Sequence, residues 1–199
     1  MLYLMRHGAT DWNEIHRLQG RTDIPLNDKG RQMAERARVQ YEDVHFDICY
    51  CSPLIRAKET AEIFLRGRDV PVMTDDRLKE MSFGICEGAQ GYYDDPAHPM
   101  YVLFRHPEDY SDIPEGAESF KELFARTREF LNEVALPKLQ QGKDVLILGH
   151  GAMNTSMVCQ IKNIPLERFW SVGISQCTLT EFDLSGHVTG NIGGIAPSG

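Results

Sequence analysis

Short apolar runs alternate with segments of helical periodicity along most of this chain. Strand-length runs occupy residues 1–5, 45–51, 70–74, 144–148 and 177–184, with residues 187–191 as a partner for the last of them. Apolar residues at helical spacing predict helices over residues 28–41, 55–65, 118–137 and 153–161. Because strands and helices alternate, we expect an α/β fold, a three-layer α/β/α sandwich with a mostly parallel sheet.

The stretch from residue 84 to residue 118 breaks this alternation. It has no clean period and is rich in Pro, Asp and Tyr residues, and loops of this length in compact domains are functional or disordered. Its large side chains are too numerous for a disordered linker: Tyr92, Tyr93, Met100, Tyr101, Phe104 and Tyr110. We therefore expect one domain over residues 1–199, in which residues 84–118 form a lid-like insertion beside the site.

Composition narrows the class of protein. The 199 residues are 42% hydrophobic and 25% charged, as in ordinary soluble globular domains. No window approaches the roughly 18 apolar residues of a membrane span, and Arg6 and His7 interrupt the N-terminal apolar run, so we expect no membrane partner and no signal peptide. Five cysteines form no Cys-x-x-Cys pair, which favours the cytoplasm. The net charge of −8 disfavours nucleic acid as a partner.

The first apolar run places Arg6 and His7 at the end of a buried strand. The carboxyl edge of such strands is where open α/β sheets bind ligands. Near pH 7 an imidazole can be a neutral nucleophile, and a guanidinium presents a planar fork that matches phosphate oxygens. This pair of side chains therefore suits phosphoryl transfer.

Three further segments supply polar groups of the same kind. Arg56 falls in the first turn of a predicted helix, where the helix N-terminus favours an anion. His150 follows a predicted strand between Gly149 and Gly151, which let the backbone approach a ligand closely. Glu80 offers a carboxyl group just before the irregular segment. Since strand ends can converge in a doubly wound sheet, we expect these groups to form one site.

The same segments resemble the motifs of the histidine phosphatase superfamily, whose fold is phosphoglycerate-mutase-like. Residues 6–13 resemble its opening signature. Further matches follow in the expected order at residues 17–30, 52–61, 78–88, 114–119 and 150–151. The resemblance spans residues 1 to about 184. This ordered set is far more specific than any one of its motifs.

The resemblance implies a role for each residue of the expected site. His7 becomes phosphorylated and Glu80 donates a proton. The phosphate pocket is formed by Arg6, Arg56 and His150. The residues that line the site and contact substrate are Asn13, Gln19, Gly20 and Gly151. Two guanidiniums and the His150 imidazolium would do the work that a magnesium ion does elsewhere, so we expect no metal and no cofactor.

Two positions depart from the pattern of the family. An aromatic or bulky apolar residue is common where Cys86 stands, and a small polar residue is common where Gly149 stands. Both are expected beside the site, where they bear on substrate preference more than on chemistry.

Three functions fit these observations. The leading one is a metal-independent phosphatase that hydrolyses small phosphomonoesters through a phosphohistidine on His7, with a small phosphorylated metabolite as partner. A phosphoglycerate mutase would use the same catalytic residues, but mutases of the family are longer than this chain. The third is a phospho-ligand binding module without turnover, against which the retention of both histidines, both arginines and Glu80 argues. A homodimer is compatible with all three.

Several of these residues also have a purely structural interpretation. Arg56 could cap its helix or pair with Glu59 or Glu62. Glu80 could be a solvated loop carboxylate. The proton donor would then be one of the other glutamates of this region: Glu87, Glu115 and Glu118.

The remaining histidines and two of the cysteines are not expected at the site. The histidines match no ligand spacing and are interpreted as surface or structural residues: His16, His45, His98, His106 and His187. Cys49 and Cys51 point to one face of a predicted strand, which favours the core beneath a helix.

Overall fold

The computed structural model describes residues 1–184 and contains a five-stranded sheet. Its strands are β1 (Leu2–Arg6), β2 (Ile48–Cys51), β3 (Val72–Thr74), β4 (Val145–Gly149) and β5 (Leu179–Phe182). Their order across the sheet is β3-β2-β4-β1-β5. All pairings are parallel except that of β5, which runs antiparallel to β1 at one edge.

Helices connect the strands and cover both faces of the sheet. They are α1 (Asp11–Glu14), α2 (Asp28–Gln40), α3 (Ile55–Phe64), α4 (Tyr101–Arg105), α5 (Phe120–Phe130), α6 (Leu136–Gln140) and α7 (Gly151–Lys162). No helix among the described residues is long and apolar enough to cross a membrane.

The alternating side chains of each strand divide the core into two layers. On β1, Leu2 and Leu4 pack in one hydrophobic cluster with residues of α5 and α7, whereas Tyr3 and Met5 pack in a second cluster with residues of α2 and α3. This is the side-chain period of two that a strand buried on both faces requires. The three-layer α/β/α sandwich with a mostly parallel sheet is therefore confirmed. Cys49 and Cys51 lie in the α2/α3 layer, fully buried.

The long amphipathic helix continues past Pro137, where the sequence predicts its end. α5 runs into a π-helical segment, Leu131–Ala135, which leads directly into α6. In this segment the N–H of Leu136 donates to the carbonyl of Leu131, five residues earlier. Pro137 lies in the first turn of α6, where a missing N–H costs least. The wider turn therefore allows the chain to remain helical through a proline.

The segment over residues 84–118 contains short helical pieces, which the sequence pattern does not predict. They are the 3₁₀ turns Gly84–Cys86 and Pro107–Asp109 and the helix α4 between them. Phe104 of α4 stacks on Trp170 with ring centroids 4.9 Å apart, and Tyr92 packs on Phe104 at 4.7 Å. These contacts come from distant parts of the chain, so no local period could indicate them.

Other element boundaries differ from the prediction by one to three residues, as three examples show. α7 begins at Gly151 rather than at residue 153. β2 begins at Ile48 rather than at residue 45. β5 begins at Leu179 because Cys177 adopts a left-handed backbone conformation, with φ of 52°, that a strand cannot include. The predicted strand at residues 187–191, with His187, lies outside the described residues.

Candidate active site

The carboxyl ends of β1, β2 and β4 meet at one edge of the sheet. Arg6 at the end of β1 pairs with Gly149 at the end of β4, and the N–H of His7 donates to the Gly149 carbonyl at 3.0 Å. The N–H of Ser52, just after β2, donates to the Leu148 carbonyl at 3.0 Å. Parallel pairing therefore fixes the backbone that carries the two histidines and delivers α3 with its arginine to the same edge.

His7 is buried and has one ring nitrogen committed to the backbone. Its Nδ1 lies 2.7 Å from the carbonyl oxygen of Gly8, which can only accept a hydrogen bond. Nδ1 therefore carries the proton and Nε2 carries the lone pair. Burial, together with the charges of Arg56 and Arg6, lowers the pKa of His7 well below its ordinary value. The imidazole is thus neutral at pH 7, as a nucleophile must be.

Arg56 is almost completely buried and binds the loop after α1. Its Nη2 donates to the Gly20 carbonyl at 2.7 Å and its Nη1 to the Thr22 carbonyl at 2.9 Å, while Nε lies 3.3 Å from His7 Nε2. Burial lowers the pKa of Arg56 to about 10, so the guanidinium remains charged at neutral pH. A helix-surface pair with Glu59 or Glu62 is excluded because this side chain points into the site.

His150 precedes α7 and is also fully buried. Its Nε2 lies 2.7 Å from the hydroxyl of Ser52, and its ring centroid lies 5.1 Å from that of His7. Ser52 Oγ accepts the N–H of Leu54 at 3.3 Å, and among the described residues the Ser52 hydroxyl proton has no acceptor other than His150 Nε2. The His150 proton then belongs on Nδ1, which is buried and has no protein partner. This leaves one N–H donor uncommitted in the site.

In the ligand-free protein the surroundings of His150 oppose the imidazolium form, which the resemblance implies for the protein with phosphate bound. Burial and the neighbouring charge of Arg56 lower the pKa of His150 well below its ordinary value. A cation with no carboxylate beside it is costly to bury. Positive charge at the site therefore comes from the arginines, and His150 contributes an N–H dipole.

Glu80 is held by backbone N–H groups, two of them at the start of α7. Its Oε1 accepts the N–H of Met81 at 2.9 Å and that of Met153 at 3.0 Å, and its Oε2 accepts the N–H of Ala152 at 3.2 Å. These bonds fix the carboxyl group against the helix that begins after His150. The interpretation of Glu80 as a freely solvated loop carboxylate is wrong.

His7, Arg56 and Glu80 line an inner cavity of about 160 Å³, whereas His150 is not part of its lining. Its polar lining consists of Arg6, His7, Asn13, Arg17, Gln19, Gly20, Arg56, Glu80 and Gly151, and its apolar lining of Leu18, Phe83, Tyr92, Phe104, Ala152 and Trp170. Arg6 Nε is buried without a hydrogen-bond partner. Glu80 is the one carboxylate in this lining. The volume accommodates a small ligand, and the uncommitted N–H groups of Arg6 and His150 suit an anion.

Each of the four predicted substrate-binding residues lies at this cavity. Gly20 has a φ of 54°, and a Cβ there would lie 2.2 Å from Glu87 Oε1, so only glycine fits. A Cβ on Gly151 would stand 3.5 Å from Glu80 Oε2 and 3.6 Å from Arg6 Cζ, which shows how close the backbone of α7 comes to both groups. Asn13 lies in α1, and Gln19 lies in the loop that follows α1.

The three alternative proton donors have other places in the structure. Glu87 accepts the backbone N–H groups of Arg21, Thr22 and Phe83, and Glu118 forms a bidentate pair with Arg126. The remaining candidate, Glu115, is exposed. None of these three carboxylates lines the inner cavity.

Cys86 and Gly149 do not line the cavity either. Cys86 is buried in a hydrophobic cluster under the 84–118 segment. A Cβ on Gly149 would lie 1.8 Å from Cε of Met153, so glycine there permits the packing of α7 on β4. Gly149 lies beside the site, where its carbonyl accepts the N–H of His7, and any effect of these two positions on substrate preference is indirect.

The other described histidines are outside the inner cavity. His45 and His106 are exposed, and His98 accepts the backbone N–H of Met100 through Nδ1. The exposed His16 lines a neighbouring outer cavity. Among residues 1–184, one group of side chains could together hold a metal ion: His106, Glu108 and Asp109. All three are exposed acidic or imidazole groups on the surface of the 84–118 segment, outside the cavity lining.

Sequence reasoning missed Arg17, which lines the inner cavity, and two further polar groups that the geometry makes prominent. In the sequence Ser52 is notable only as the residue that follows a predicted strand, and Thr10 only as one position of the opening motif. Thr10 caps α1 and binds the side chains of both Asn13 and Gln19. Its capping box with Asn13, which a Thr-x-x-Asn spacing could have suggested, is the one signal available beforehand.

Comparison of the sequence with known proteins shows which family it matches. Residues 2–190 match the family model of the histidine phosphatase superfamily (branch 1). A putative phosphoserine phosphatase 2 of Hydrogenobacter thermophilus is 32% identical over 191 residues, which cover 93% of this chain and 90% of that protein. A 2,3-bisphosphoglycerate-dependent phosphoglycerate mutase 2 of Gloeobacter violaceus is 28% identical over 186 residues, 92% of this chain and 85% of the relative.

A solved structure gives the same result for the fold. Bacillus stearothermophilus YhfR superposes with a TM-score of 0.80 at 34% identity, and the match covers 92% of this chain and 91% of YhfR. The likeness extends over nearly the whole length of both chains.

Proposed function

The chain belongs to the histidine phosphatase superfamily, branch 1, and we propose that it is a metal-independent phosphatase that hydrolyses small phosphomonoesters through a phosphohistidine on His7. The observation that carries this proposal is the state of His7. It is neutral and its Nδ1 proton is tied to the Gly8 carbonyl, so the lone pair is on Nε2. In the ligand-free protein this lone pair accepts a hydrogen bond from Arg56 Nε at 3.3 Å, and His7 lines the cavity.

In the first step Nε2 of His7 attacks phosphorus and forms an N–P bond while the ester P–O bond breaks. Arg56 Nε, which lies against Nε2 in the ligand-free protein, then donates to a phosphoryl oxygen instead. Arg6 and the Nδ1–H of His150 contribute further donors to the oxygens that gain charge. Glu80 in its acid form gives its proton to the departing alkoxide.

In the second step water attacks the phosphohistidine. The Glu80 carboxylate takes a proton from that water, the N–P bond breaks, and inorganic phosphate leaves with His7 and Glu80 restored. One carboxyl group thus serves as acid and then as base. Glu80 suits both tasks because it is the one carboxylate in the described cavity lining and backbone N–H groups fix its position.

The part of the substrate that enters the inner cavity with the phosphoryl group must be small. The inner cavity measures about 160 Å³ and is bounded by the aromatic rings of Phe83, Tyr92, Phe104 and Trp170. Two of these rings belong to the 84–118 segment. We therefore propose that this segment is a lid-like insertion of a single domain. The proposed partner is a small phosphorylated metabolite, and the proposed location is the cytoplasm. A homodimer stays a prediction, which light scattering in solution tests.

Phosphoglycerate mutase activity is the alternative, and chain length does not decide against it. The mutase relative from Gloeobacter violaceus matches over 85% of its own length, so it is only slightly longer than this chain. A mutase would return the phosphoryl group to a second hydroxyl, whereas a phosphatase gives it to water. Measuring inorganic phosphate released per phosphomonoester consumed separates these activities, and we expect a ratio near one. A binding module without turnover would release none.

Removal of metal ions is expected to leave the activity unchanged. The positive charges proposed to contact phosphate belong to Arg6 and Arg56, and the single carboxylate in the described cavity lining, Glu80, is already used as acid and base in the proposed mechanism. Phosphate release should therefore persist after exhaustive dialysis against EDTA. Loss of activity that returns on adding magnesium would contradict the proposal and favour a metal-assisted phosphatase.

Replacing Ser52 with alanine is expected to lower kcat/KM about 10-fold, because Ser52 holds His150 in the tautomer with a proton on Nδ1. Nitrogen-15 NMR of the imidazoles should show a single His150 tautomer in the native protein and a mixture in Ser52→Ala. Ser171→Ala, which removes an exposed hydroxyl bonded to a backbone carbonyl, is the matched control. An unchanged tautomer in Ser52→Ala would contradict this positioning role.

A further inference from the structure

Two amide side chains turn their donor ends toward the inner cavity. The backbone N–H of Thr10 can only donate, and it donates to Asn13 Oδ1 at 3.1 Å. The Thr10 hydroxyl accepts the N–H of Asn13 and donates to Gln19 Oε1 at 2.8 Å. Both amide oxygens are thus held by Thr10, and the NH₂ groups of Asn13 and Gln19 remain for the cavity that both residues line.

Arg17 adds a positive charge to the same wall. Its Nε is buried without a hydrogen-bond partner, and its guanidinium lies 5.4 Å from the ring centroid of Trp12. Arg21, four residues further along the chain, pairs with Glu118. Arg17 has no carboxylate within ion-pair distance among residues 1–184. This guanidinium is therefore charged, partly buried and not neutralised by the protein.

Arg17 also stands where the inner cavity joins a larger outer one. The outer cavity, of about 510 Å³, shares with the inner one Arg6, Asn13, Arg17 and Tyr92. Its described lining contains no carboxylate. A ligand whose phosphoryl group contacts His7 and Arg56 thus meets Arg17 on the way out, in a region of positive charge on a protein whose net charge is −8.

We propose that Arg17, assisted by the Gln19 amide, binds a carboxylate on the organic part of the substrate, so that this enzyme prefers phosphomonoesters of small hydroxy acids. The inference rests on the proposed function, which it deepens. A carboxylate accepts hydrogen bonds and donates none, which matches the donors offered here by the NH₂ groups of Asn13 and Gln19 and by the Arg17 guanidinium. A guanidinium binds a carboxylate in bidentate geometry. A phosphomonoester of an uncharged alcohol would leave Arg17 unpaired.

Matched substrates isolate the carboxylate. Phosphoserine and phosphoethanolamine differ only by the carboxylate. 3-Phosphoglycerate carries a carboxylate where glycerol 3-phosphate carries an uncharged hydroxymethyl group. We expect kcat/KM to be at least about 10-fold higher for the carboxylate member of each pair. Arg17→Gln should lower kcat/KM for that member about 10- to 100-fold, mainly through KM, and change the other member less than about threefold. Arg17→Lys should recover part of the loss.

The controls separate the failure of this inference from that of the proposed function. Arg36→Gln removes an exposed arginine of α2 and should leave both pairs unchanged. Equal losses on both members in Arg17→Gln, or no preference in the native protein while p-nitrophenyl phosphate is hydrolysed, would overturn the carboxylate site and leave the phosphatase intact. Absence of phosphate release from all five compounds would instead remove the proposed function.

Discussion

Replacing His7 with alanine is expected to reduce kcat for phosphomonoester hydrolysis by at least about 10,000-fold. The variant lacks the Nε2 lone pair, and the described cavity lining contains no other imidazole. His150 lies outside that lining, and its Nε2 accepts the hydrogen bond of the Ser52 hydroxyl. Because the pKa of His7 is lowered, the native protein should keep its nucleophile neutral as the pH falls to the ordinary histidine pKa, and lose it only well below that value.

The measurement is steady-state phosphate release, with circular dichroism to verify the fold of the variant. His45→Ala is the matched control because His45 is exposed and its ring lies 3.7 Å from Asp47, far along the chain from the site. We expect full activity in that control. Residual activity in His7→Ala above about one per cent of the native rate would mean that another group attacks phosphorus.

Replacing Glu80 with glutamine should separate the two halves of the reaction. For an alkyl phosphate the departing alkoxide needs a proton, so the phosphorylation rate should fall roughly 100- to 10,000-fold. An aryl ester such as p-nitrophenyl phosphate leaves without help, and its phosphorylation rate should fall much less. Dephosphorylation still needs a base, so we expect a burst of p-nitrophenol followed by slow turnover.

The substitution keeps most of the local contacts of Glu80. A glutamine oxygen can still accept the N–H groups of Met81 and Met153, and only the longer bond from Ala152, at 3.2 Å, is lost. Glu115→Gln, at an exposed glutamate, is the matched control and should behave as the native protein. Equal losses in burst rate for alkyl and aryl esters would contradict the role as proton donor and indicate that Glu80 positions the phosphate.

The fold could be predicted from the sequence wherever one side-chain period dominates. β1, β4 and α2 are examples, because each buries a fixed set of side chains against one or two layers. Prediction failed where distant contacts decide. Phe104 and Trp170 organise the 84–118 segment across 66 residues of sequence, and the π-helical turn that accommodates Pro137 leaves no mark in the apolar pattern.

The candidate site was predictable to the level of residue type. Strand ends and motif spacing indicated His7, Arg56, Glu80 and His150. The structure places the first three in the lining of one cavity and the ring of His150 5.1 Å from that of His7. Protonation was not predictable, because the state of His150 depends on its burial and on the hydroxyl of Ser52. A sequence shows which groups can titrate, but the desolvation that sets their charge comes from packing.

The location of the covalent phosphoryl group tests the central claim most directly. Native protein is mixed with a phosphomonoester labelled with ³²P, quenched in base within milliseconds, digested and analysed by tandem mass spectrometry, with ³¹P NMR to identify the bonded nitrogen. The account predicts an acid-labile phosphoryl group on Nε2 of His7, formed and lost at rates that match turnover. A phosphoryl group on another residue, or full turnover with none on His7, would contradict it.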